Sequence, residues 1–133
     1  MDLEAEVVPA AQKFGLGLLP FFPLEFGLLT GKYKRGQAAP PGSRAASGPA
    51  PWLEHADWDR IEAFEKFAAD RGVTPLDVAI GGLAAQPAVA SVISGATSGD
   101  QVRANAAAAG WRPSADDLAE LDAVTAGRRT PRP

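Results

Sequence analysis

The apolar positions change period several times along this chain, and each change marks an element. Val7, Val8, Ala11 and Phe14 recur at helical spacing and Gly15 follows as a stop, so a helix ending at Phe14 is predicted. The next run, GLGLLPFF at 15–22, is continuously apolar and bounded by Gly and Pro, which suits a strand buried on both faces as in a parallel sheet. A short stretch, GLLTGKYKRG, then leads into residues 37–51, where Pro and Gly alternate with small residues and no period survives; a long mobile loop is expected there. Two helices follow. Asp57 to Asp70 places Ile61, Phe64, Phe67 and Ala68 on one face with Gly72 as stop, and Pro75 to Ala85 has Thr74 as N-cap and Pro75 at the first helical position. Gln86-Pro87 ends the second helix, and the β-branched run Val89 to Ile93 fits a second buried strand. After the turn Ser94 to Ser98 the helical pattern resumes from Asp100 to Ala109. It returns from Ala115 to Val124, capped by Ser114 with Asp116 and Asp117 in the first turn. The tail at 127–133, rich in Arg and Pro, is expected to be disordered.

Two buried strands, each followed by irregular polar sequence and then helix, give the rhythm of βα units and an α/β fold class. A closed parallel barrel takes eight strands and typically about 250 residues. With 133 residues, the chain reads as part of such an architecture. The small-residue turn at 94–98, lying between a buried strand and a helix N-terminus, is an anion-binding arrangement.

Composition narrows the partners. A net charge of −3 with no block of like charges offers nothing for nucleic acid to hold. The longest apolar run, Leu16 to Leu24, is broken by Gly17, Pro20 and Pro23, so it does not suit a bilayer span, and Asp2, Glu4 and Glu6 argue against a signal peptide. A cytoplasmic location is the resulting expectation. With no cysteine and one histidine, thiolate chemistry drops out and a metal site is not expected.

Two blocks carry a family resemblance. Gly17-Leu18-Leu19-Pro20-Phe21-Phe22-Pro23-Leu24, leading to Gly27-Leu28-Leu29-Thr30-Gly31-Lys32-Tyr33, resembles the seventh-strand loop of aldo-keto reductases. Val92-Ile93-Ser94-Gly95-Ala96-Thr97-Ser98, with Gln101 and Asn105, resembles the eighth-strand motif. The resemblance covers roughly residues 5–125, the final third of a family member. It implies a partial (β/α)8 TIM barrel made of the C-terminal βα units, with residues 1–126 as part of an NADP(H)-dependent oxidoreductase domain that reduces aldehydes or ketones by hydride transfer. The family's catalytic Asp, Tyr, Lys and His come from loops after earlier strands. Tyr33, Lys32 and His55 lie in no matching motif, so no catalytic residue is assigned and the chain alone is expected to be inert. The other reading is a non-catalytic nucleotide-binding or interaction module that pairs with a chain supplying the missing strands.

Within that resemblance, Phe21 matches the aromatic that stacks the nicotinamide, against a plain reading as core packing. Phe22, Leu24 and Gly27 fall in the loop around the pyrophosphate; Phe22 stands where the family usually has Ser. Gly95, Ala96, Thr97 and Ser98 offer N–H groups and hydroxyls to a 2′-phosphate, against an ordinary helix cap at Ser98. Gln101 and Asn105, one turn apart, match the residues that reach the 2′-phosphate or adenine. Ser94 and Ala104 depart from the family's Pro and Glu. Arg103 either compensates for the lost Glu or is an exposed helix charge.

Overall fold

The helices start where their caps put them. In the computed structural model, which describes residues 3–126, a π-helical lead-in at Leu3–Val7 runs into α1 (Val8–Lys13). It is followed by α2 (Pro51–Glu54), α3 (Trp58–Asp70), α4 (Pro75–Ala84), α5 (Gly99–Ala108) and α6 (Ala115–Thr125). The 127–133 tail, expected to be disordered, lies outside the described residues. Asp57 caps α3 by accepting from the Arg60 amide at 3.2 Å. Thr74 with Asp77, and Ser114 with Asp117, close reciprocal capping boxes on α4 and α6. Each such cap contributes about 1 kcal/mol by satisfying first-turn amides.

α3 is the hub because its apolar stripe is wide enough to face two neighbours. Phe64, Phe67 and Ala68 meet Val78 and Ala79 of α4, and Leu24, Leu29, Val73, Trp111, Leu121 and Val124 close over them. A second cluster joins Ile61 of α3 to Leu28 and Tyr33, with Trp52, Leu53 and Trp58 against it. Residues 37–51 differ from the mobile loop expected. Ala39 and Ala45 pack on this second cluster, and buried Ser43 caps a 3₁₀ turn at Arg44–Ala46. Small side chains pack closely without any hydrophobic period to reveal it.

Beyond the core, α6 is tied to α3 by charge. Arg71, at the end of α3, donates to Asp117 at 2.6 Å and to Glu120 at 2.7 Å, and its guanidinium lies 3.6 Å from the centroid of the Phe67 ring. Bonds from the Ser114 amide, then the Arg71 guanidinium and the Ser114 hydroxyl, hold the Asp117 carboxyl down from 3.8 to about 2. A carboxyl depressed in the folded state stabilises fully above its unfolded value and loses that contribution as pH falls through its folded value. Stability is therefore expected to decline as pH drops from about 4 to about 2, and Asp117→Asn should flatten that part of a pH series of urea midpoints. An unchanged slope in the variant would remove Asp117 as the cause.

The two expected strands require a correction. The described residues contain no named β-strand; Leu18 and Val89 form one isolated parallel bridge. The Leu18 amide donates to Ala88 O at 2.7 Å, and the Ala90 amide donates to Leu18 O at 2.9 Å. Nor are the segments buried on both faces, since Leu16 is 63% and Ile93 65% exposed. A parallel strand satisfies alternate backbone groups on each side, and each segment here has one described neighbour. Pro20 and Pro23 also lack the amides that would extend the ladder. At Gly17 the two segments approach so closely that a Cβ would fall 2.4 Å from Ala90 Cβ.

Candidate functional site

The bridge matters because it is parallel. Leu18 and Val89 run in the same direction, so the loop after the first segment and the turn after the second leave from the same end of the pair. In parallel α/β architectures, ligands are held outside that carboxyl end.

The first of these loops is strained. Phe22, Glu25 and Phe26 have φ of 57°, 44° and 57°, the left-handed region that costs a non-glycine residue about 1–2 kcal/mol. Gly27 continues the turn at φ 93°, and its amide donates to Leu24 O at 2.7 Å. Aromatic contacts hold the strained loop. Phe21 meets Phe22 edge-on at 4.4 Å, Phe22 meets Phe26 at 4.6 Å, and Phe26 stacks on Trp52 at 5.2 Å. At the outer end of this series Phe21 is 88% exposed, so its ring is not core packing. Phe22 takes part in the aromatic series where a hydroxyl was expected, and Leu24 turns inward onto the core.

Two cations that lie against this loop were not assigned from sequence. Lys32 folds back over Gly27, where a Cβ would fall 2.8 Å from Lys32 Cε, and its ammonium lies 5.1 Å from the centroid of Tyr33. Arg44 lies over Phe26 at 5.8 Å. Neither pairs with a carboxylate among the described residues. Lys32 stands in the block that resembles the seventh-strand loop, though in no catalytic motif. Nothing local carried a signal for Arg44, whose approach depends on the packing of residues 37–51.

Around the second turn, Gly95, Ala96, Thr97 and Ser98 are all exposed, and Gly95 faces open space. Ser98 caps α5 by accepting from the Gln101 amide at 3.3 Å. Gln101 reaches back so that its Oε1 accepts from the Thr97 amide at 2.7 Å and from the Thr97 hydroxyl at 3.1 Å. Both bonds fall on the carbonyl oxygen, which leaves the side-chain NH₂ as the group offered outward. With the Thr97 amide and hydroxyl committed to Gln101, the Gln101 side-chain NH₂ and the Ser98 hydroxyl remain as side-chain donors at the positive end of a helix, suited to an anion. Arg103 pairs with Asp100 at 2.5 Å on the exposed helix surface, the reading as a helix charge. Asn105, one turn on, lines a cleft of about 480 Å³ with Ser91, Ser94, Ile93 and Ile80.

Tyr33 is buried, His55 is exposed at the end of α2, and Lys32 lies on the loop. Among the described residues no group of three His, Asp or Glu is placed to hold a metal, and no helix is long and apolar enough to cross a membrane.

Comparison with known proteins adds four findings. The model of the aldo/keto reductase family matches residues 1–126. The chain is 34% identical over 125 residues to Protein tas of Escherichia coli, covering 92% of this chain and 36% of that protein. It is 35% identical over 108 residues to a probable voltage-gated potassium channel subunit beta of Arabidopsis thaliana, covering 77% of this chain and 33% of that one. Among solved structures, a glycerol dehydrogenase from Gluconobacter oxydans superposes with a TM-score of 0.72 at 26% identity, covering 98% of this chain and 40% of its own. The chain thus spans about a third of the length of the curated relatives it matches.

Proposed function

The chain belongs to the aldo/keto reductase family, and on that premise we propose that it carries the nucleotide grip of an NADP(H)-dependent reductase of aldehydes or ketones. Residues 1–126 are then the C-terminal βα portion of a (β/α)8 barrel, with the Leu18 and Val89 segments joined by their single parallel bridge. The observation that carries this reading is the parallel bridge, after which the loop bearing Lys32, with Arg44 of the 44–46 turn over its Phe26, and the anion-suited turn leave from one end of the pair. When bound, the nicotinamide nucleotide would supply the hydride. The chain's own residues bind and orient it. Phe21 offers an exposed ring face to the nicotinamide, and the loop through Phe22, Leu24 and Gly27 wraps the pyrophosphate beside Lys32 and Arg44. Gly95 to Ser98 and the Gln101 side-chain NH₂ receive the 2′-phosphate, and Asn105 reaches the adenine. The acid that protonates the carbonyl comes from residues outside this sequence.

Titrating the full chain with NADPH and NADH, followed by cofactor fluorescence, tests the assignment. Saturable binding that favours NADPH is expected, with Gln101→Ala weakening NADPH about tenfold and NADH little, because only the former carries the phosphate. Equal affinity for the two nucleotides, unchanged by Gln101→Ala, would remove the phosphate role.

The alternative is an interaction module, favoured by the exposure of Phe14, Leu16, Leu19 and Ile93 along and beside the bridged segments. Such a surface marks a contact site. The polypeptide that covers it would carry the remaining barrel strands.

A further inference from the structure

The segment that leaves the strained loop is pinned along its length. Gly31, at φ 79°, turns against α4, where a Cβ would fall 3.1 Å from Pro75 Cγ, and Tyr33 is buried in the second cluster. Lys34 donates to Glu65 at 2.6 Å. Arg35 donates through Nε to Glu62 Oε1 at 2.9 Å and through Nη2 to Glu62 Oε2 at 3.0 Å, and Nη2 also donates to Asp59.

The carboxylates that receive these bonds come from one helix. Asp59, Glu62 and Glu65 recur at every third residue of α3, so they form a row that takes two adjacent cations at once. Single exposed ion pairs contribute little; a bidentate guanidinium within a network is the exception, and Arg35 is both. Lys32, on the other side of Tyr33, sends its ammonium back over Gly27 and has no carboxylate partner among the described residues. Its place therefore depends on how the backbone beneath it is held. The loop before it carries left-handed strain at Phe22, Glu25 and Phe26, which favours relaxation, and the bonds to α3 oppose that at the loop's exit.

We propose that Arg35, through Glu62 and Asp59, is a positioning residue that holds the exit of the strained loop on α3 and so keeps the Lys32 ammonium over Gly27. Its use in gripping NADPH rests on the nucleotide reading; the hold itself does not.

Hydrogen exchange of the full chain tests the hold without any ligand. The Gly27 amide, bonded to Leu24 O at 2.7 Å, is expected to exchange about threefold faster in Arg35→Gln and in Glu62→Gln and no faster again in the double variant, while the Val78 and Leu118 amides of α4 and α6 keep their rates. Titration of the same chains with NADPH tests the use. Affinity should fall about threefold in each single variant, partly recover in Arg35→Lys, which keeps the charge without the fork, and fall no further when Arg35→Gln is added to Lys32→Gln. A Gly27 rate unchanged by either substitution, or an Arg35→Gln loss of affinity that is the same with and without the Lys32 ammonium, would overturn the proposal. A faster Gly27 amide in variants of a chain that binds no NADPH upholds the hold and removes only the nucleotide reading.

Discussion

Replacing Lys32 and Arg44 together by glutamine is expected to weaken NADPH binding about 100-fold, because each removes a charge-assisted contact worth about tenfold. Both cations lie against the strained loop, Lys32 over Gly27 and Arg44, from the 44–46 turn, over Phe26, and neither is neutralised by a carboxylate among the described residues. Glutamine keeps part of each stem, so the packing on Tyr33 and Phe26 largely remains and the loss is one of charge. Salt separates this from unfolding. Wild-type affinity should fall as ionic strength rises, since the exposed pair is screened, whereas the double variant should respond much less. Equal affinity and equal salt dependence in the two chains would sink the role assigned to these residues, leaving Gln101 and the 95–98 turn as the anion site.

The second large effect concerns the hub. Phe67 is 2% exposed, meets Trp111 edge-on at 6.3 Å and carries the Arg71 guanidinium on its face at 3.6 Å. Phe67→Ala removes the ring between α3 and Trp111 and the surface on which Arg71 lies while it reaches Asp117 and Glu120. A cost of about 3–5 kcal/mol is expected, read from urea denaturation. Domains of ordinary stability hold only about 5–15 kcal/mol in total, so this loss takes a large share of it and moves the urea midpoint well down. Phe67→Leu, which retains most of the volume, should cost about 1.5 kcal/mol or less. If the alanine variant lost under about 1 kcal/mol, Phe67 would not be the residue joining these elements.

Helices α1 and α3 to α6 were legible in the sequence because their determinants are local, whereas α2 was not foreseen. Thr74 with Asp77 and Ser114 with Asp117 lie three residues apart, and the capping bonds follow from that spacing whatever surrounds them. The stripe Ile61, Phe64, Phe67 and Ala68 is likewise a property of one helix, and all four are buried. The turn ahead of α5 was also readable, since Ser98 caps the helix that follows it. Tertiary structure decided what depends on distant chain. The apolar runs at 15–22 and 89–93 imply burial, yet burial of a strand is conferred by neighbours, and here the pairing is one parallel bridge with exposed Leu16 and Ile93. Residues 37–51 carry no period, and only their packing on Leu28, Tyr33 and Ile61 brings Arg44 over Phe26. The left-handed backbone at Phe22, Glu25 and Phe26 was equally unreadable, because phenylalanine and glutamate give no local reason to adopt it. The aromatic contacts that run from Phe21 to Trp52 supply that reason only once α2 has brought Trp52 beside the loop.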